Sequence, residues 1–173
     1  MKLAEPVDID LLDFIKNGRF DYILLGKTKE WIINNFPDPD DIDHNCYQDP
    51  IWRYGNIEFH FHEDETLSSI YSDYIDTLSG GDSLRLEKWI FNESQKLTIE
   101  TAVRHLIKER IAFKLEYGSL SDGYTTAAVR IIKSQVKLSF ALPEREEDYE
   151  EYLARCKSED SNSFRLFAFS LGI

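Results

Sequence analysis

The sequence predicts an α+β fold: two helix-then-antiparallel-meander units whose helices pack on one face of an antiparallel sheet. Three observations carry the prediction. Gly55-Asn56 is a two-residue hairpin turn flanked by runs that alternate apolar and polar residues. Two segments, 28–36 and 98–106, each start at a threonine suited to cap a helix and then keep helical apolar spacing. Strand candidates follow each of them, so the same order of elements occurs twice.

A chain of 173 residues suits one domain or two small units that share a core. The expected units are 1–82 and 83–173, joined in one compact body. Hydrophobic residues make up 42% of the chain and its Phe, Tyr and Trp number 11, 9 and 3, enough to build a packed interior. Formal charge is −12, from 32 acidic and 20 basic residues. A surface of that sign repels phosphate backbones, and no basic patch offsets it, so no nucleic-acid partner is expected. The start, MKLAEPVDIDLLDFIKNG, lacks the apolar run and small-residue cleavage site of a signal peptide. No stretch has the roughly 18 apolar residues of a membrane span. Cys46 and Cys156 lie far apart and outside any CxxC pattern. A cytoplasmic protein with two free thiols, no membrane association and no cofactor is the expectation.

Taken in order, residues 8–17 predict a first helix, with Leu11, Leu12, Phe14 and Ile15 on one side and Gly18 as the stop. Thr28 caps a second helix in which Trp31, Ile32, Ile33 and Phe36 give the helical period, and Pro37 ends it. PDPDDIDHNCYQDP then reads as an acidic, turn-rich loop. Across the Gly55-Asn56 turn, Tyr54 pairs with Ile57, Arg53 with Glu58 and Trp52 with Phe59. Trp52, Tyr54, Ile57, Phe59 and Phe61 fall on one face. Arg53, Glu58, His60 and His62 fall on the other, with Arg53 and Glu58 as an opposite-charge pair. Glu63-Asp64-Glu65 turns the chain into a third strand, from Leu67 to about Tyr74. Ser79-Gly80-Gly81-Asp82 marks a boundary, and SLRLEKWIF is a further strand candidate.

From about Lys96 the pattern begins again. Aligning LLGKTKEWIINNF with SQKLTIETAVRHL matches Thr28 to Thr98, Glu30 to Glu100, Ile33 to Val103 and Phe36 to Leu106. IEFHF at 57–61 matches VKLSF at 136–140, each after a two-residue turn candidate, Gly55-Asn56 or Lys133-Ser134. A diverged tandem repeat accounts for these matches, and so would chance likeness between two amphipathic units. Strands near 112–117 and 125–132 join through Ser121-Asp122-Gly123. An acidic helix follows near 143–157, its apolar stripe formed by Tyr149, Tyr152, Leu153 and Cys156. SFRLFAFSL alternates and is expected to close the sheet.

Candidate chemistry is sparse. His60-x-His62 places two imidazoles on one strand face, where Glu58, His44 or Cys46 could supply a third zinc ligand; period-two alternation on a solvated sheet face explains the same pattern. Asp41-x-Asp43-x-Asn45 copies the first ligands of an EF-hand loop, but Cys46 stands in place of the required glycine and Trp52 in place of the bidentate glutamate. Gly80-Gly81 belongs to no phosphate-binding motif, and no GxSxG elbow is present. Cys156 sits on an apolar helix stripe, as a core thiol does. No metal site and no catalytic residue are assigned.

Gly26 and Thr28, the helix ending in Phe36-Pro37-Asp38-Pro39, then Trp52-x-Tyr54-Gly55, Phe61, Leu67 and Ile70 together resemble the helix-then-meander module of the SmpA/OmlA (BamE-type) lipoproteins and of the β-lactamase inhibitory protein. The resemblance covers mainly residues 22–75, with a weaker echo over 96–141. It implies helices on one face of an antiparallel sheet. Its inhibitory relative carries two tandem units whose joined sheet binds another protein, and both relatives act by protein–protein contact. This chain lacks the export signal, lipidated N-terminal cysteine and paired cysteines of those proteins, so their setting and targets do not transfer.

The expected function is that of a non-catalytic cytoplasmic interaction protein, an inhibitor or immunity-type antitoxin among the options. Its partner is an unknown protein, and a basic one would associate fastest with so acidic a chain. The expected contact patch is Arg53, Glu58, His60 and His62. The alternative is a metal-dependent hydrolase or small-ligand protein built around His60 and His62.

Overall fold

The computed structural model describes residues 6–44, 50–120, 123–143 and 145–172. Among them the chain forms four α-helices and ten strands, and no helix is long and apolar enough to cross a membrane. The molecule is α+β and its main sheet is antiparallel.

The first helix is shorter than its sequence suggests. Val7–Asp10 is a strand, β1, because Asp10 serves as the cap: its Oδ1 accepts from Leu12 N (2.8 Å) and Asp13 N (3.1 Å). Helix α1 then runs Leu11–Asn17 and stops at Gly18, whose φ of +71° lets its N–H reach Phe14 O. Helix α2, Lys29–Asn35, is capped by Thr28 Oγ1 on Trp31 N (3.1 Å). Only part of its expected apolar stripe faces inward. Ile32 and Phe36 are buried, whereas Ile33, turned 100° from Ile32, is exposed.

The acidic segment expected as loop contains β2, Asp41–His44, an antiparallel edge strand on β3, Pro50–Tyr54. Residues 45–49, with Asn45 and Cys46, lie outside the described residues. β3 turns at Gly55-Asn56 into β4, Ile57–Phe61, with the expected pairs Tyr54↔Ile57, Arg53↔Glu58 and Trp52↔Phe59. Gly55 has φ +61°, and a Cβ there would lie 2.4 Å from Gly81 N and 2.5 Å from Ser79 O. The chain around 79–83 therefore wraps the turn. Asp40 ties the two together, its carboxylate accepting from Gly55 N (2.7 Å), Asp82 N (3.2 Å) and Ser83 Oγ (3.1 Å). β5, Leu67–Ser72, completes the meander.

Residues 83–91, expected as one strand, divide. β6, Leu84–Glu87, pairs parallel with β1. At Trp89 the backbone enters φ +46° and the chain continues as 3₁₀ turns to Lys96. Helix α3, Ile99–Lys108, starts at the Thr98 cap on Thr101 N (3.3 Å). β7, Phe113–Leu120, and β8, Gly123–Ile131, are longer than expected. The reversal into β9, Lys137–Ala141, is not a two-residue turn at Lys133-Ser134. It spans 132–136, with Gln135 at φ +64° and Ser134 Oγ donating to Ile15 O (2.6 Å). Helix α4, Tyr149–Ser158, begins later than expected because Asp148 and Glu151 form a reciprocal capping box. β10 is Arg165–Leu171.

The eight-stranded sheet has the order β2-β3-β4-β5-β10-β9-β8-β7. β10, the strand expected to close the sheet, does so from the middle, pairing with β5 on one side and β9 on the other. It carries the sheet across the position expected as a boundary, residue 82. One sheet face builds the core: Tyr54, Ile57, Phe59, Leu138, Phe140 and Phe169 are fully buried. Phe14 of α1 meets Phe169 edge-on at 5.6 Å, and Phe20 meets Phe59 in the same way at 5.6 Å.

Candidate functional site

The opposite sheet face carries polar side chains in register across all eight strands. Successive Cα partners are Asp41, Arg53, Glu58, Tyr71, Ser170, Lys137, Arg130 and Lys114. Period-two alternation fixes this. From Arg53 to Arg130 each of these residues lies one step along its strand from a core residue, such as Phe59 beside Glu58 or Val129 beside Arg130, whereas Asp41 on the edge strand is flanked by the exposed Ile42.

At the β2–β4 end the expected patch takes shape around Arg53. Its Nη2 lies 3.1 Å from Glu58 Oε1 and 3.2 Å from Asp43 Oδ2. Glu58 turns its other oxygen to His60 Nε2 at 3.0 Å, and only 14% of its side chain is exposed. His60, 27% exposed, also meets the Tyr71 ring edge-on. Tyr71 lies opposite Glu58, and its hydroxyl is pushed up to about 12 by burial, then by Asp73, with the Glu58 charge adding to it. The phenol therefore stays protonated at neutral pH, with its hydroxyl hydrogen-bonded to the Asp73 carboxylate.

His62 stands apart. It lies one residue past β4, exposed, in the turn closed by its N–H on Thr66 O and by Glu65 N on its carbonyl. The structure thus brings Arg53, Glu58 and His60 into one row, joined by an ion pair and a hydrogen bond, and sets His62 at its rim. Among the described residues no group of three His, Cys, Asp or Glu gathers as a metal-binding cluster.

The other end of the row, Lys137, Arg130 and Lys114, escapes a reading of local sequence. Arg130 Nε binds Glu116 at 2.9 Å, and Lys114 Nζ lies 3.7 Å from the same carboxylate. The Arg130 guanidinium holds the Glu116 carboxyl below its usual range. On the strands of this face Asp41, Asp43, Glu58 and Glu116 stand beside Arg53, Lys114, Arg130, Lys137 and Arg165, the last in register with Ala141, in a chain whose formal charge is −12. Between the two ends Tyr71 is flanked by small side chains: Ser69, Ser170, Ala168, Ser139 and Ala128.

A second recess was also missed. A cleft of about 840 Å³ opens beside the β9–α4 connection, lined by Thr126, Leu142, Arg145, Tyr149, Tyr152 and Phe167. A bulge between Leu166 and Ala168 takes Phe167 out of the regular register and leaves it exposed. Deeper in, Arg155 is buried and engages Glu147 through Nε at 3.1 Å, which holds the Glu147 carboxyl below its usual range. Cys156, the expected core thiol, is buried beside it.

Comparison of the chain with protein-family models, curated protein sequences and solved structures finds no match.

Proposed function

We propose that the chain is a non-catalytic protein–protein interaction module that docks its partner on the polar face of the sheet. The observation that carries this reading is the cross-strand row from Asp41 to Lys114, on a face that mixes charges of both signs. Half-buried, mutually paired charges of both signs give a partner a fixed pattern to match, and such complementarity sets specificity and association rate. The helix-then-meander repeat seen in the sequence fits the same reading. Thr28 with α2 precedes β3–β5, and Thr98 with α3 precedes β7–β9. In this account an inhibitor or immunity protein uses two related units to build one wide sheet, as the resemblance to the β-lactamase inhibitory protein implies. A basic partner gains on-rate from the −12 charge outside the contact.

The test is affinity capture from the native host with the full chain as bait, run beside a variant with Arg53, Glu58, His60 and His62 changed to alanine. The reading expects at least one protein retained by the native chain and lost from the folded variant. Identical capture by both places the contact elsewhere.

A second reading rests on the aromatic-lined cleft of about 840 Å³, within the size range of small-ligand pockets. A thermal-shift screen with Tyr152→Ala as the control separates it: a ligand whose stabilisation disappears in that variant supports the cleft over the sheet face.

A further inference from the structure

We infer that the cleft beside the β9–α4 connection and the smaller recess next to it form one groove that binds a neutral, linear oligosaccharide. This rests on the second reading above, in which the cleft takes a small ligand, and names the class of that ligand.

A recess of about 240 Å³, walled by Asp73, Tyr74, Ile75 and Thr77, shares Asp76, Leu166 and Phe167 with the cleft of about 840 Å³. Phe167 reaches both because the bulge between Leu166 and Ala168 breaks the regular pairing of β10 and re-aims that side chain. Tyr149, in the first turn of α4, lines only the cleft, and Tyr74, just past β5, lines only the recess. The rings therefore follow one another along the groove as Tyr149, Phe167 and Tyr74, from three separate elements. They are 65%, 42% and 57% exposed. Tyr152, about one turn along α4 from Tyr149, lines the same cleft. Aromatic surface left uncovered in a row is a mark of a binding groove.

The polar lining selects the ligand. Each charged side chain of the cleft is already engaged. Asp76 Oδ1 accepts from Ser94 Oγ (3.1 Å), and Asp148 Oδ1 accepts from Glu151 N (2.9 Å). Glu147 is held by Arg155 Nε (3.1 Å), Arg145 faces Glu159 (3.8 Å), and Arg165 donates to the Gln95 carbonyl. Each keeps spare capacity, since a carboxylate has several lone-pair sites and a guanidinium a fork of N–H donors. The ligand must therefore donate to Asp76, Glu147 and Asp148 and accept from Arg145 and Arg165. A phosphate or carboxylate only accepts, and it meets the acids. An amine only donates, and it meets the arginines. A proline-rich peptide suits the aromatic row, but its imide backbone brings acceptors without donors. A single nucleobase stacks, donates and accepts, yet one ring leaves the far end of the groove bare. A hydroxyl donates and accepts at once. A pyranose backs its rim of hydroxyls with a flat face of C–H groups that lies against an aromatic ring. A chain of such sugars repeats both features along the groove.

Titration calorimetry of the full chain with the disaccharides and hexasaccharides of the cello-, chito-, malto- and xylo-oligosaccharide series tests this. At least one series is expected to bind, its hexasaccharide more tightly than its disaccharide, because only the longer chain spans cleft and recess. Tyr149→Ala is expected to raise Kd about tenfold for both lengths, the loss of one aromatic anchor. Tyr74→Ala is expected to weaken the hexasaccharide alone. Both side chains are exposed, so an unchanged circular dichroism spectrum is the check on folding. No binding in any series, affinity independent of length, or Kd values unmoved by both substitutions overturns the oligosaccharide. Should a non-sugar compound then stabilise the native chain but not Tyr152→Ala, the cleft remains a ligand site and only the ligand class falls. Silence in both assays removes the two together.

Discussion

Replacing Gly55 by alanine, beside the same replacement at Gly26, separates backbone conformation from crowding. Both glycines lie in the left-handed region, at φ +61° and +83°. At Gly26 an added Cβ meets nothing within 4 Å. Its cost is the left-handed penalty of about 1–2 kcal/mol, less about 0.4–1 kcal/mol gained by restricting the unfolded chain. At Gly55 the same terms apply, but the Cβ falls 2.4–2.9 Å from three backbone atoms of residues 79–81. The turn or the wrapped loop has to move, and the bonds Asn56 N to Ser79 O (3.1 Å) and Gly55 N to Asp40 Oδ2 (2.7 Å) go with it. At about 0.5–1.5 kcal/mol each, their loss brings Gly55→Ala to roughly 1–4.5 kcal/mol, about 1–3 kcal/mol above the roughly 0–1.6 kcal/mol of Gly26→Ala. Urea denaturation followed by circular dichroism measures both, with unchanged m-values as the check on two-state behaviour. Equal losses for the two variants would falsify the account of residues 79–83 as a clamp on the hairpin.

Tyr54→Phe removes the hydroxyl that donates to the buried Pro37 carbonyl at 3.0 Å, and is expected to cost about 1–3 kcal/mol by the same denaturation assay. Glu147→Gln tests the Arg155 pair through pH. A carboxyl held below its ordinary value of 4.5 stabilises the fold above that value and loses the contribution as pH falls through the lowered one. The Tm advantage of the native chain over Glu147→Gln is therefore expected at neutral pH and absent in strong acid. A pH-independent difference refutes the ionic account. A double-mutant cycle on Arg53 and Glu58 is expected to give about 0.2–1 kcal/mol of coupling, since Arg53 is partly solvated and shared with Asp43.

What could be read from the sequence was what local chemistry decides. The Gly55-Asn56 turn and the alternation around it fix the pairing of Arg53 with Glu58, because register follows from the turn and the buried set. The threonine caps at 28 and 98 were legible for the same reason. β2 was not: Asp41-Ile-Asp-His has little strand character of its own, and its tie to the neighbouring strand includes the ion pair of Asp43 with Arg53. His62 was placed on the strand by simple counting, but the chain turns there, closed by Thr66. The basic end of the polar row could not be seen, because Lys137 and Arg130 come into line with Glu58 only when β10, from the far end of the chain, threads between β5 and β9. That pairing spans long sequence separations and leaves no periodicity to detect.

The central claim is that a partner contacts the row of charges on the polar sheet face. Titration calorimetry of the captured partner against the native chain, the fourfold alanine variant at Arg53, Glu58, His60 and His62, and a control with alanines at the exposed helix pair Glu100 and Arg104 tests it most directly. The account predicts a Kd raised at least about tenfold for the fourfold variant, equivalent to about 1.4 kcal/mol, with the control unchanged. Equal affinity for all three proteins contradicts it.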